Sequence, residues 1–355
     1  MKKELLLATT IAGVALGATS ASAVTSSLSG NHRVGLLDVD KDSSNATTGT
    51  TNESIKSSLS YSLSETLDSG TTIAGAFSLM SEGSVFNYTG ASGLTLTFTD
   101  GSSLELVKAG DAHKDHDVAV PGASGEMSIA TGSSNSAAGG IDGVGGGNNV
   151  GFAWHSAADV AGIEGASVSF SYSNGDETSV SGATVAMDSS MSAGVTYVTT
   201  TGDTTVTIGA GVHEANDNNS TTITETSAFH IGAVAVNGDL TVGFGVGQGE
   251  YGHDKADDHQ EVTDWQATEI GLSYVSGDFT LIASFGDSEA TDAASGSNPS
   301  GSADELSKAA VSVDYAVASG VTTTLGFLSQ EAKDEGTKKD TASGTSWYIG
   351  TNLSF

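Results

Sequence analysis

The chain has 355 residues, a formal net charge of −31, 47 Gly, 2 Pro and no Cys, and its apolar residues make up only 37%. The lack of Cys excludes disulfide scaffolds, thiolate nucleophiles and Cys-ligated zinc, and the scarcity of cations argues against nucleic acid as a partner. Acidity with few aromatics is a composition of disordered chains, but Gly, Ser and Thr interleaved with Val, Leu and Ile read here as many short strands and turns.

The chain opens on a candidate export signal. Lys2 and Lys3 precede an apolar run from Leu5 to about Leu16, and Ala21-Ser22-Ala23 closes it in a small-x-small cleavage pattern. Residues 1–23 are therefore expected to be a secretory signal peptide, with 24–355 as one mature domain. No later apolar run is long enough to span a bilayer as a helix. An exported chain of this kind enters a membrane as strands or not at all.

Along the mature chain, apolar residues recur at every second position, the period of a strand. Ile55, Leu59, Tyr61 and Leu63 oppose Lys56, Ser58, Ser60 and Ser62. Val206, Ile208, Ala210 and Val212 oppose Thr205, Thr207, Gly209 and Gly211, and Leu240, Val242, Phe244 and Val246 oppose Thr241, Gly243, Gly245 and Gly247. Phe279 to Phe285, Val311 to Val317 and Trp347 to Phe355 repeat the scheme. The polar face is small and hydroxylated throughout.

The connections alternate between short and long. Short ones fall at Glu65–Gly70, Asp100–Ser102, Asp159–Gly165, Thr200–Asp203, Asn237–Asp239, Ser276–Asp278 and Ala318–Gly320. Long ones fall at about Asp38–Glu53, Ser81–Ala91, Gly110–Asn148, Asn174–Ser190, Glu214–Thr222, Glu250–Trp265, Gly286–Leu306 and Ser329–Gly344, and most of the acidic residues lie in them. Together they join 16 strands. The expected fold is all-β: a 16-stranded antiparallel transmembrane β-barrel with short periplasmic turns and long extracellular loops. About 16 strands leave an aqueous lumen, which explains the polar inner face, and closure pairs every backbone group.

Two segments and the carboxyl end resemble the alphaproteobacterial (Rhodobacter-type) general-diffusion porins. Leu28-Ser29-Gly30-Asn31-His32-Arg33-Val34-Gly35 opens the mature chain as such a porin does, and Leu104 to Ala112 (LELVKAGDA) looks like the strand leading into that family's third loop. The ending at Phe355, with Trp347, Ile349 and Leu353 at alternate positions before it, resembles the signal read by the barrel-assembly machinery. The resemblance implies a homotrimer in the outer membrane of a Gram-negative bacterium, passing ions and small hydrophilic solutes by passive diffusion, without cofactor or catalysis. It also implies that a third loop, here about 110–148, folds inward to constrict the pore.

Strand parity puts Arg33, Lys56 and Lys308 on the lumen face, and Glu105, Glu269 and Asp314 with them. The constriction loop carries Asp111, Asp115, Asp117, Glu126 and Asp142 against Lys114. The family sets a basic wall cluster against loop acids, whereas this chain's only Arg is Arg33. The expectation is a mild cation preference.

Other motifs carry less. His113-x-x-His116-Asp117 is the densest histidine set, but further ligands for a transition metal are unplaced by sequence, and a solvated loop is the plainer reading. Asp38, Asp40 and Asp42 alternate as a calcium loop begins, yet Ser43 stands where Gly is needed and Gly49 where Glu is needed. Loose Ca²⁺ or Mg²⁺ binding by the acidic loops fits, as would a structural barrel bridged through such ions. Gly247 to Gly252 matches G-x-G-x-x-G by letter, without the helix the motif requires. Ser, His and Asp are too scattered for a hydrolase. A secreted calcium-binding β-roll would need tandem nonapeptide repeats, which are missing.

Overall fold

The computed structural model describes residues 24–43, 46–82, 85–89, 92–107, 111–124, 127, 150–174, 177–180, 183–186, 189–216, 225–251, 263–291, 305–334, 339–340 and 343–355. The expected signal peptide, 1–23, lies outside them. Sixteen strands make up the wall. They are β1 (Thr25–Ser43), β2 (Ala46–Thr66), β3 (Thr72–Glu82), β4 in two pieces (Val85–Thr89 and Leu94–Thr97), β5 (Ser103–Leu106), β6 (Val150–His155), β7 (Ala166–Asn174) and β8 (Ser189–Thr201). The second half holds β9 (Thr204–Asn216), β10 (Glu225–Asn237), β11 (Leu240–Tyr251), β12 (Thr263–Ser276), β13 (Phe279–Thr291), β14 (Glu305–Ala318), β15 (Val321–Asp334) and β16 (Ser343–Ser354).

Each strand pairs antiparallel with the next. The sheet closes where β1 pairs with β16, from Asn31 opposite Ser354 to Asp42 opposite Ser343. Closure leaves no open edge, so every strand can satisfy its backbone groups inside a bilayer. Strands β14 and β15, 14 residues each, rise ~3.3 Å per residue and, tilted ~40°, cover more than the ~25 Å apolar band.

The outward face is apolar. Leu36, Phe244, Ile270, Val311 and Ile349 point away from the barrel, where lipid removes the cost of exposing them to water. Phe279 and Tyr315 stack at 4.8 Å near the short-turn end, and Phe327 meets Trp347 at 4.5 Å farther up the wall. No central apolar core exists among the described residues. The buried interior is mainly Ser, His and small Ala and Gly, with Leu306, Leu328 and Tyr348 the larger exceptions and one small apolar cluster at Trp265, Ala267 and Ala228.

Three of the short turns are two-residue Gly-Asp links. Gly202, Gly238 and Gly277 take φ of 60°, 56° and 60° at the first central position, as a type II′ hairpin requires. Among the long loops, Asp38–Glu53 is corrected: β1 runs to Ser43 and β2 starts at Ala46, so this stretch is paired strand, with Asp38 opposite Thr51. Its Thr-rich sequence favours extended backbone more than its charges favour a loop. Similarly, β3 runs to Glu82 and β4 starts at Val85. Between Asn174 and Ser189 a small hairpin forms, Glu177–Val180 with Ala183–Ala186.

Candidate functional site

The chain leaves the wall at the end of β5. Val107 adopts φ 55°, a conformation that costs a β-branched residue of the order of 1–3 kcal/mol. Its N–H donates to the Gly151 carbonyl at 3.0 Å, which pins the exit. Facing it, a Cβ at Gly93 would overlap the Val107 carbonyl oxygen. The expected constriction segment then begins, and 111–124 lies inside the barrel.

Small side chains on the inner wall receive this segment. The Ala112 N–H donates to Ser171 Oγ (3.0 Å) on β7, and the His113 N–H donates to Ser192 Oγ (3.2 Å) on β8. A one-turn 3₁₀ helix, Lys114–His116, follows. Farther along, the Ala123 N–H reaches Ser284 Oγ on β13 at 3.3 Å. Ser124 N–H then donates to Ser312 Oγ on β14 at 2.8 Å. The Ser124 hydroxyl donates to Asp314 at 2.7 Å, and Thr324 holds the other oxygen of that carboxylate at 2.6 Å. Between these anchors the segment rests on glycines: a Cβ at Gly209 would overlap the His116 carbonyl oxygen, and one at Gly271 the Pro121 carbonyl oxygen. The described contacts run from β7 to β15, where Met127 lies against Gly326.

Where the segment meets β6 to β10, five histidines converge. The His113 ring lies 5.1 Å from that of His213 and 5.6 Å from that of His230. His230 Nδ1 stands 2.6 Å from Asp117, and its Nε2 donates to the His113 carbonyl at 3.0 Å. His213 Nδ1 is 3.8 Å from Asp111, and His155 Nδ1 is 3.3 Å from Asp115. His116 turns away from His113 and bridges Thr196 (2.7 Å) and Ser169 (2.8 Å). The sequence pair His113 and His116 therefore does not act together. Burial, reinforced by the neighbouring His213, His230 and Lys114 charges, lowers the His113 pKa to about 3. Burial, with His155 and His230, also lowers that of His116. Asp115 shifts upward, chiefly because the surrounding lumen wall partly desolvates its exposed carboxylate, against the pull of His155 and with Glu105 adding to the rise.

Most of the sequence-predicted residues are placed. Asp111 is buried against His213, Asp117 is paired with His230, and Asp314 is a tether, so these acids are engaged locally. Asp115 stays exposed over the lumen, near Glu105. Lys308 and Glu269 line a cavity of about 250 Å³ between Pro121 and β12–β15. Arg33 and Lys56 sit opposite each other on β1 and β2, next to Glu82 on β3, outside the path of 111–124. Glu126 and Asp142 lie outside the described residues. Trp347, Ile349, Leu353 and Phe355 all point outward. Tyr348, an aromatic of the type that favours the membrane interface, faces inward, 1% exposed, against Gly35 and Gly350. His213, His230 and the Ser and Gly of β7–β14 escaped the sequence reading as parts of the site. Their signal was an inner face too small in side-chain volume for a merely wetted wall.

A family model for Gram-negative porins matches residues 6–352. The chain belongs to the Gram-negative porin family. It is accordingly an outer-membrane barrel. No curated protein matches it. Among solved structures, the outer membrane channel DcaP of Acinetobacter baumannii matches with TM-score 0.66 at 11% identity, over 96% of this chain and 99% of that one. The in-vitro folded OmpT of Vibrio cholerae, in trimer form, gives 0.62 at 13% over 94% and 100%. A mutant of the Rh. blastica porin gives 0.50 at 16% over 93% and 100%. At these identities the likeness is one of fold. As a porin the chain forms a passive diffusion channel.

Proposed function

We propose that this porin is a general-diffusion channel of the alphaproteobacterial type, trimeric, for ions and small hydrophilic solutes, with a mild preference for cations. The polar lumen narrowed by residues 111–124 carries this reading, since a docked segment sets a size limit without closing the wall. The cation preference rests on Asp115 and Glu105 standing near each other on the loop side, where Asp115 is solvent-exposed. Arg33 and Lys56 on β1 and β2 oppose it and keep it mild. The acidic loops at the mouth enrich cations within a Debye length of roughly 8–10 Å. Trimerisation is supported by the resemblance and by the trimer form of the matched OmpT. Catalysis and a cofactor play no part in this reading. The outward Trp347, Ile349, Leu353 and Phe355 would be what the assembly machinery reads.

The test is the reversal potential of single channels in a planar bilayer under a potassium chloride gradient. Cation selectivity of a few-fold is expected, rising in Arg33→Glu and falling in Asp115→Lys. Anion selectivity in the unaltered protein would overturn the electrostatic reading. Absence of conductance would overturn the channel and favour a structural barrel.

A further inference from the structure

We propose that Asp111, His113 and His213 form a binding site for a first-row divalent transition-metal ion of the Zn²⁺ class, which bolts the constriction loop to the barrel wall. Each residue offers one ligand atom, and the three atoms lie within 4.8 Å of one another, all from buried residues. The His113 side chain is 3% exposed, and its Nδ1 is buried within this cluster without a hydrogen-bond partner. A buried imidazole nitrogen normally finds a hydrogen-bond partner; a metal ion that accepts its lone pair would take that partner's place. Two imidazoles and one carboxylate are a ligand set for Zn²⁺ with its fourth position open to water. Nitrogen donors disfavour Ca²⁺ and Mg²⁺, which take oxygen.

The surroundings fit as well. The backbone of the two loop ligands is fixed from outside the site: the His113 N–H is held by Ser192, its carbonyl accepts from His230, and the next-door Ala112 N–H is held by Ser171. His230 uses both ring nitrogens on Asp117 and the His113 carbonyl, so it positions the site without joining it. Small rotations of three side chains would draw the ligand atoms to the ~2.0–2.2 Å bond lengths of zinc. Because two ligands are on the loop and one on the wall, the bound ion cross-links them.

The site is tested by Zn²⁺ binding to the detergent-solubilised full chain after chelator treatment, using isothermal titration calorimetry and competition with a chromophoric chelator. One Zn²⁺ per chain is expected. His213→Ala and Asp111→Asn should each weaken it at least about tenfold, and His253→Ala/His259→Ala, which removes two other histidines, should leave it intact. A heat-modifiability gel establishes that each variant is folded; where His213→Ala is not, His113→Gln probes the site from the loop side. Co²⁺ substitution should give visible absorption that His113→Gln removes. Absence of stoichiometric binding, binding indifferent to the His213 and His113 variants, or binding lost with His253 and His259 would each overturn the site. Binding is read without any measurement of flux, so its outcome is separate from that of the channel.

Discussion

The inner wall has two halves of opposite character. From β7 to β15 Ser and Gly recur on it among His213, His230, Glu269 and Lys308, and the loop lies directly on the small residues. From β16 through β1 to β2 it carries Tyr348, Arg33 and Lys56, and the described loop contacts do not extend there. The contrast teaches that small residues inside a barrel need not mark where water flows. On one half they are a seat for backbone, and on the other larger and charged groups are left to face the passage.

The sharpest way to break this contrast is to give the seat a side chain. Gly209→Val sets branched carbons where the His116 carbonyl lies, and the loop has to lift. We expect single-channel conductance to rise several-fold and protease sensitivity near residue 117 to appear. Gly49→Ala on the outward face of β2, which meets nothing within 4 Å, is the control and should leave both unchanged. Equal responses would mean that the loop does not rest on Gly209.

A middle effect is expected at the far anchor. Asp314→Asn weakens two hydrogen bonds to a charged acceptor, from Ser124 and Thr324, each worth about 1.5–3 kcal/mol before water replaces part of it. The loop end should loosen while the barrel stays closed, seen as added open-channel noise with an unchanged melting temperature. The smallest effect belongs to the exit. Val107→Gly relieves the positive φ and should raise or leave unchanged the thermal stability, by about 1 kcal/mol at most, since the freed strain is offset by greater backbone entropy in the unfolded chain. A large loss there would mean that the valine side chain, not the backbone turn, steers the loop inward.

The barrel itself was legible because its signals are local. Alternation in Val206–Val212 and the Gly-Asp turns each report on a handful of neighbours, and the strand count follows. The wall side of the constriction was not. His213 and His230 lie about a hundred residues from His113, and only closure of the wall brings them together. Tyr348 shows a related limit of residue type. Its type favours an interface, but its parity with Ser346 and Gly350 on β16 fixes it inward, and the free space above Gly35 accepts the ring. The Asp38–Glu53 stretch was read from its charges, while its partner strand, which decides the matter, is equally polar.

Sealing the barrel through β1 and β16 has a consequence for how the molecule is made. The two strands that complete the ring are the first and last in the order β1 to β16, so their register from Asn31 to Asp42 cannot form until β16 has been made. Until then the growing sheet has two open edges, each able to recruit a strand from another copy. Among the paired strands, this contact spans the greatest sequence separation and is entropically the last to be rewarded. A chain cut before Ser343 would therefore keep nearly all of its strands and still be unable to exist as a solitary ring.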